Sequence, residues 1–171
     1  GALSPDALAW LDAPPAPAWN QARELLRQLG ALDAEGRITD HGRALHTLPL
    51  HPRLAHMLLT GQSLGWGRMA CELAALLSER DVLVGVRHCD VQARIAALRG
   101  EGGAPVDRGR LQRVREMARN LQERLKGPAR PEQADSAGIL LGAAYPERVA
   151  QRRAGKTPRF LLANGRGALL A

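Results

Sequence analysis

Residues 29–52 read LGALDAEGRITDHGRALHTLPLHP, and they fit a helix end, a tight turn and a second helix into one short unit. Leu25, Leu26 and Leu29 close an amphipathic helix, and Gly30 supplies the residue that takes positive φ at its end. Asp33-Ala-Glu-Gly36 reads as a turn between two short extended pieces, because Asp and Gly are the residues that turn geometry favours. Thr39 is placed to cap the next helix, and Asp40 falls in its first turn, where the helix dipole favours a carboxylate. Pro49 marks where that helix has stopped. Helix, small ribbon, helix is the outline of a winged-helix element.

Working outward from this unit, Asp12-Ala-Pro-Pro-Ala-Pro-Ala18 is a Pro-rich lead-in that cannot be helical throughout, so a helix is expected near Trp19 after an extended spacer. Downstream, Leu54, Met57 and Leu58 and then Leu64, Met69, Leu73, Leu76 and Leu77 recur at helical spacing, with Gly61 to Gly67 read as the connection. Asp90 can cap a helix in which Val91, Ile95 and Leu98 share a face and which ends at Gly100. The longest helix is expected over Asp107 to Lys126, with Leu111, Val114, Ala118, Leu121 and Leu125 as its apolar stripe. At about 100° per residue, Arg108, Arg115, Arg119 and Lys126 fall in a narrow band beside that stripe. Ala134 to Ala144 reads as a short apolar helix, and Arg159-Phe-Leu-Leu-Ala163 before Asn164-Gly165 as a strand entering a turn.

Composition supports packed helices. The chain has 171 residues, of which 45% are hydrophobic and only 3% aromatic, so its core is built from Leu, Ala and Val rather than the aromatic and β-branched residues of a sandwich. The expected class is mainly α: a degenerate winged helix, then a helical bundle, with a short β element near the C-terminus. The expected division is 1–18 as Pro-rich linker, 19–49 as winged-helix-like element, 50–144 as helical bundle and 145–171 as the beginning of a further domain. Cys71 and Cys89 form neither a CxxC pair nor a disulfide framework. No apolar run is long enough to span a bilayer and no secretory signal opens the chain, so the expected location is cytoplasmic, with no membrane partner.

The net charge of +7 is unevenly spread. Residues 1–86 hold 7 Arg against 9 acidic residues, whereas residues 87–171 hold 17 Arg or Lys against 8 acidic residues. A surface of that sign attracts polyanions in a salt-dependent way. The plain alternative is solvated helix faces in an Arg-rich genome.

The whole pattern resembles the bacterial DEAH-box helicases. The residues that carry the likeness are LGALDAEGRITDHGRALHTLPLHPRLAHMLL, the run ELAALLSERDVL after Ala70-Cys71, and later AAYPERVAQRR and RFLLANGRGALL. In this family a winged helix and a helical ratchet bundle follow two RecA-like motor domains. The resemblance therefore implies motor domains upstream in the same polypeptide, with ATP and Mg held there. An opening without Met fits more chain upstream.

Four sets of residues are candidates for chemistry. Gly155-Lys156-Thr157 has the end of a phosphate loop, but Ala150 stands where the motif needs Gly and no acidic box follows, so no cofactor is expected in this chain and no ATP hydrolysis by it alone. His41, His46, His51 and His56 recur every five residues, which rotates adjacent members apart on a helix, so surface or satisfied histidines are expected and no metal. Glu79 and Asp81 read as a solvated or ion-paired helix terminus, leaving no catalytic residues. Arg108, Arg115, Arg119 and Lys126, with Arg148, Arg152 and Arg153, suit the phosphate backbone of single-stranded RNA or DNA. The scarcity of aromatics in this half argues against reading individual bases. The rival class is a helical interaction scaffold whose basic face binds acidic partners or the motor domains.

Overall fold

The computed structural model describes residues 4–125, 127, 129–133, 135–155 and 159–169. Seven α-helices and three short strands are formed among them: α1 Ala16–Gln28, α2 Asp40–His46, α3 Pro52–Leu64, α4 Gly67–Ser78, α5 Val91–Arg99, α6 Arg108–Arg124, α7 Ser136–Ala144, β1 Ala150–Arg152, β2 Arg159–Leu162 and β3 Gly167–Leu169. The chain divides into two compact units, Gly1–His56 and Met57–Ala171.

In the first unit, α1 begins at Ala16, earlier than the proline content suggests. Pro17 lies in its first turn, where the missing N–H has no helical partner to lose and the fixed φ suits the helix. Leu29 is buried after it, and Gly30 takes φ 68°. The ribbon is a single antiparallel bridge between Leu32 and Ile38, around a turn in which the Arg37 amide and guanidinium both donate to the Asp33 carboxylate. Thr39 caps α2 by accepting from the Gly42 amide at 3.0 Å, and its hydroxyl donates to the Gly30 carbonyl at 2.7 Å. One side chain therefore fastens two helix ends. A Cβ on Gly42 would stand 2.2 Å from the Ala31 carbonyl oxygen, so α2 lies directly against that backbone.

In the second unit, Gly61 remains inside α3 and the connection to α4 shrinks to Gly65-Trp66. The reason is packing: a Cβ at Gly61 would lie 2.5 Å from the Ala70 Cβ and 3.1 Å from a Leu140 methyl. Gly61 serves close helix approach and does not break the helix. The core between α4, α5 and α6 is formed by Ala75, Val82, Leu83, Leu98, Leu111, Val114 and Ala118. Asp90 caps α5 through the Gln92 amide at 2.9 Å, and Gly100 ends it at φ 81°. Asp107 caps α6 through the Arg110 amide at 2.9 Å, a bond that holds its carboxyl below the usual carboxylate range. Leu111, Val114, Ala118 and Leu121 of the expected stripe are buried.

Past α7, a single turn of 3₁₀ helix at Pro146–Arg148 leads into an antiparallel sheet in the order β1-β2-β3, with Arg152 opposite Phe160 and Phe160 opposite Ala168. The expected strand is β2. Its partners were harder to see, because Ala-Gln-Arg and Gly-Ala-Leu are too short to show alternation.

Candidate nucleic-acid interface

The cap at Asp107 and the buried stripe fix the rotation of α6, and with it the direction of every arginine on the helix. Arg108 and Arg119 are exposed, and neither guanidinium has a hydrogen-bond or ion-pair partner among the described residues. Arg115 is half-buried, and its Nε donates to the Leu98 carbonyl at 3.0 Å. Leu98 lies in the last turn of α5, where unpaired carbonyls carry partial negative charge. Arg115 thus tethers α6 to α5 while staying beside Arg119. Lys126 lies outside the described residues.

Two other arginines of α6, Arg110 and Arg113, have internal work. Arg110 pairs with Asp107 at 3.3 Å and donates to the Asp81 carbonyl at 2.9 Å, and Arg113 reaches Glu79 at 3.5 Å. Asp81 also takes Arg94 in a two-nitrogen pair, which holds its carboxyl below the usual range. Glu79 and Asp81 are therefore ion-paired around the end of α4.

The later arginines stand on other elements. Arg148 is exposed and lies over the Tyr145 ring with its guanidinium carbon 5.2 Å from the centroid, a cation–π distance. Arg152 is exposed on β1, and the Arg153 amide donates to the Arg159 carbonyl at 2.8 Å. The six described candidates therefore stand on two sets of elements, α6 for Arg108, Arg115 and Arg119, and the run from the 3₁₀ turn to just past β1 for Arg148, Arg152 and Arg153.

Two arginines that periodicity within α6 could not reveal stand beside that helix. Arg68 of α4 and Arg99 of α5 line a cleft of about 540 Å³ together with Glu72, Arg115, Arg119 and Gln122. Glu72 is buried at 5% exposure, and its two oxygens accept from Arg68 Nε at 3.0 Å and from Arg99 Nε at 3.0 Å. The available signal was the Arg68/Glu72 spacing of four, which puts both residues on one face of α4.

The histidines part from their even spacing. His41 of α2 and His56 of α3 meet at 2.8 Å between ring nitrogens, with the rings edge to face. Burial and the neighbouring His41 push His56 below its ordinary pKa. Among the described residues no group of three or more His, Cys, Asp or Glu could hold a metal ion. Lys156 and Thr157 lie outside the described residues. Cys71 is buried and Cys89 exposed, both as free thiols, and no helix among the described residues is long and apolar enough to cross a membrane.

Comparison with known proteins places this geometry. The winged-helix family model of the helicase-associated domain HA2 matches residues 22–50. Over 99% of its length the chain is 33% identical to the ATP-dependent RNA helicase HrpB of Escherichia coli K12, of which it spans 19%. Residues 22–50 thus carry the HA2 winged helix, and the chain as a whole is similar to one stretch of HrpB. Two crystal structures of E. coli HrpB superpose on 98% and 99% of it, with TM-scores of 0.72 and 0.73 at 29% and 28% identity. Other helicases match over a smaller share of the chain. They include the fission-yeast splicing helicase prp22 at 36% identity over 40%, and human DHX35 at 34% over 44%. The chain spans 6% and 11% of those two proteins. The mainly α architecture with a winged helix and a small sheet is thus the HA2-type arrangement that the sequence suggested.

Proposed function

We propose that this HA2 region is an accessory grip for single-stranded RNA or DNA within an ATP-dependent DEAH-box helicase. RecA-like motor domains of the same polypeptide, in the cytoplasm, bind ATP and Mg and perform the hydrolysis. In this reading 1–18 links to those motors, 19–49 is the winged helix that braces them, 50–144 is the bundle that faces the strand, and 145–171 opens a further domain. The observation that carries the reading is the outward pair Arg108 and Arg119, held on a helix whose adjoining face is locked into the core while Arg110 and Arg113 are occupied by acids and Arg115 by a carbonyl. Unpaired guanidinium groups on a rigid support suit sugar-phosphate contact, which positions a strand without reading its sequence. The RNA-helicase names of the relatives favour the same partner class.

The test is fluorescence anisotropy of labelled single-stranded RNA and DNA across a salt series. Binding should weaken log-linearly with salt, and Arg108→Gln should lower the slope by about one counterion. Absence of binding to either strand at low salt would favour the protein-scaffold alternative.

A further inference from the structure

Resting on that reading, we infer that the cleft between α4, α5 and α6 seats one internucleotide phosphate of the strand, with Arg68, Arg115 and Arg119 as its cationic walls. The cleft collects four arginines, Arg68, Arg99, Arg115 and Arg119, around one buried carboxylate. Glu72 and Glu132 together answer only part of that charge: Arg99 is consumed by Glu72 and by Glu132 at 2.8 Å, and Arg68 gives its Nε to Glu72. Arg68 nevertheless has a side chain 68% exposed. Arg115 uses its Nε on the Leu98 carbonyl, and no described residue accepts from its terminal nitrogens or from Arg119.

This division of labour is that of an anion site. The buried Glu72 fixes two guanidinium groups without neutralising the set, and a planar fork anchored through its Nε keeps terminal N–H donors in a fixed plane for a further acceptor. Gln122 adds an amide to the wall. A tetrahedral oxyanion answers the excess of donors and charge, and a carboxylate-lined protein surface does not reproduce its three-dimensional acceptor pattern. The cleft adjoins the outward face of α6, because Arg119 belongs to both.

The experiment follows the arginine Nε–H resonances of the whole chain by NMR, with an eight-residue oligouridylate and with inorganic phosphate alone as probes, beside anisotropy on Arg68→Gln and Arg119→Gln. Arg68 and Arg119 are exposed, so both variants should fold as the parent does. With the oligonucleotide, the Arg115 and Arg119 signals should move, and each variant should weaken binding about tenfold and lower the salt slope by about one. Oligonucleotide binding that persists unchanged in both variants, with those signals unmoved, would overturn the cleft assignment while leaving the grip on Arg108 intact. Movement with inorganic phosphate but not with the oligonucleotide would overturn the strand as occupant and identify a free-anion site. No binding of the oligonucleotide by the parent chain would remove the proposed function itself.

Discussion

Thr39 shows how much can rest on one hydroxyl. It closes the first turn of α2 and ties back to the carbonyl at the end of α1, and its place before Asp40 was visible from the sequence because capping chemistry is local. Thr39→Ala should cost about 1 kcal/mol, read as a lower urea midpoint, and Thr39→Ser should recover most of it. The His41–His56 contact was invisible from spacing, since it depends on how α2 meets α3 and not on periodicity along one helix. His56 is held below its ordinary value of 6.5, so the unfolded chain takes up the proton first. Stability from this pair is therefore full above about pH 6.5 and declines as pH falls below it. Urea midpoints should drop between pH 7.5 and 5.5, and His56→Gln should flatten that dependence. The thiols give a third expectation. Burial pushes Cys71 up to about 12, so iodoacetamide near neutral pH should label only the exposed Cys89 until the protein is denatured.

At the scale of elements, helix positions followed from apolar spacing and caps, but their fit to one another did not. Gly61 looked like a breaker because glycine is a poor helix former in isolation. Only the Ala70 methyl opposite it explains the residue. Gly61→Ala should destabilise by about 1–3 kcal/mol through overpacking, even though alanine is the better helix former. Gly138→Ala in α7 should do the opposite, because its Cβ would meet nothing within 4 Å; a gain of about 0.5–1 kcal/mol is expected. Thermal unfolding of both variants distinguishes contact from propensity. Glu72 joins two helices by accepting from α4 and α5, while Arg99 reaches on to Glu132 in the connection between α6 and α7. Glu72→Ala leaves the half-buried Arg99 guanidinium with Glu132 alone and should cost about 1.5–3 kcal/mol. The Arg68–Arg99 side of the cleft escaped the sequence for the same reason as the histidine pair: charges from separate helices converge only after packing.

For the whole molecule, the asymmetry of charge between the two halves was plain in composition, whereas its use depends on which arginines the fold leaves unanswered. Of the basic row expected along α6, Arg108 and Arg119 face outward, Arg115 bonds to a carbonyl of α5 and Lys126 lies outside the described residues, while Arg110 and Arg113, which the row did not include, serve acids. The purified chain should release no phosphate from ATP and Mg above a protein-free blank, because its Gly-Lys-Thr lacks the upstream glycine of a phosphate loop. Turnover in that assay would assign chemistry to residues read here as support.

The missing side chain at Gly61 carries a mechanical corollary. Where a single added methyl would already overfill the gap between α3 and α4, the two arms of the hairpin have no clearance in which to slide. A joint built without play hands on a displacement instead of absorbing it, so a push delivered to one arm should reach the other undiminished.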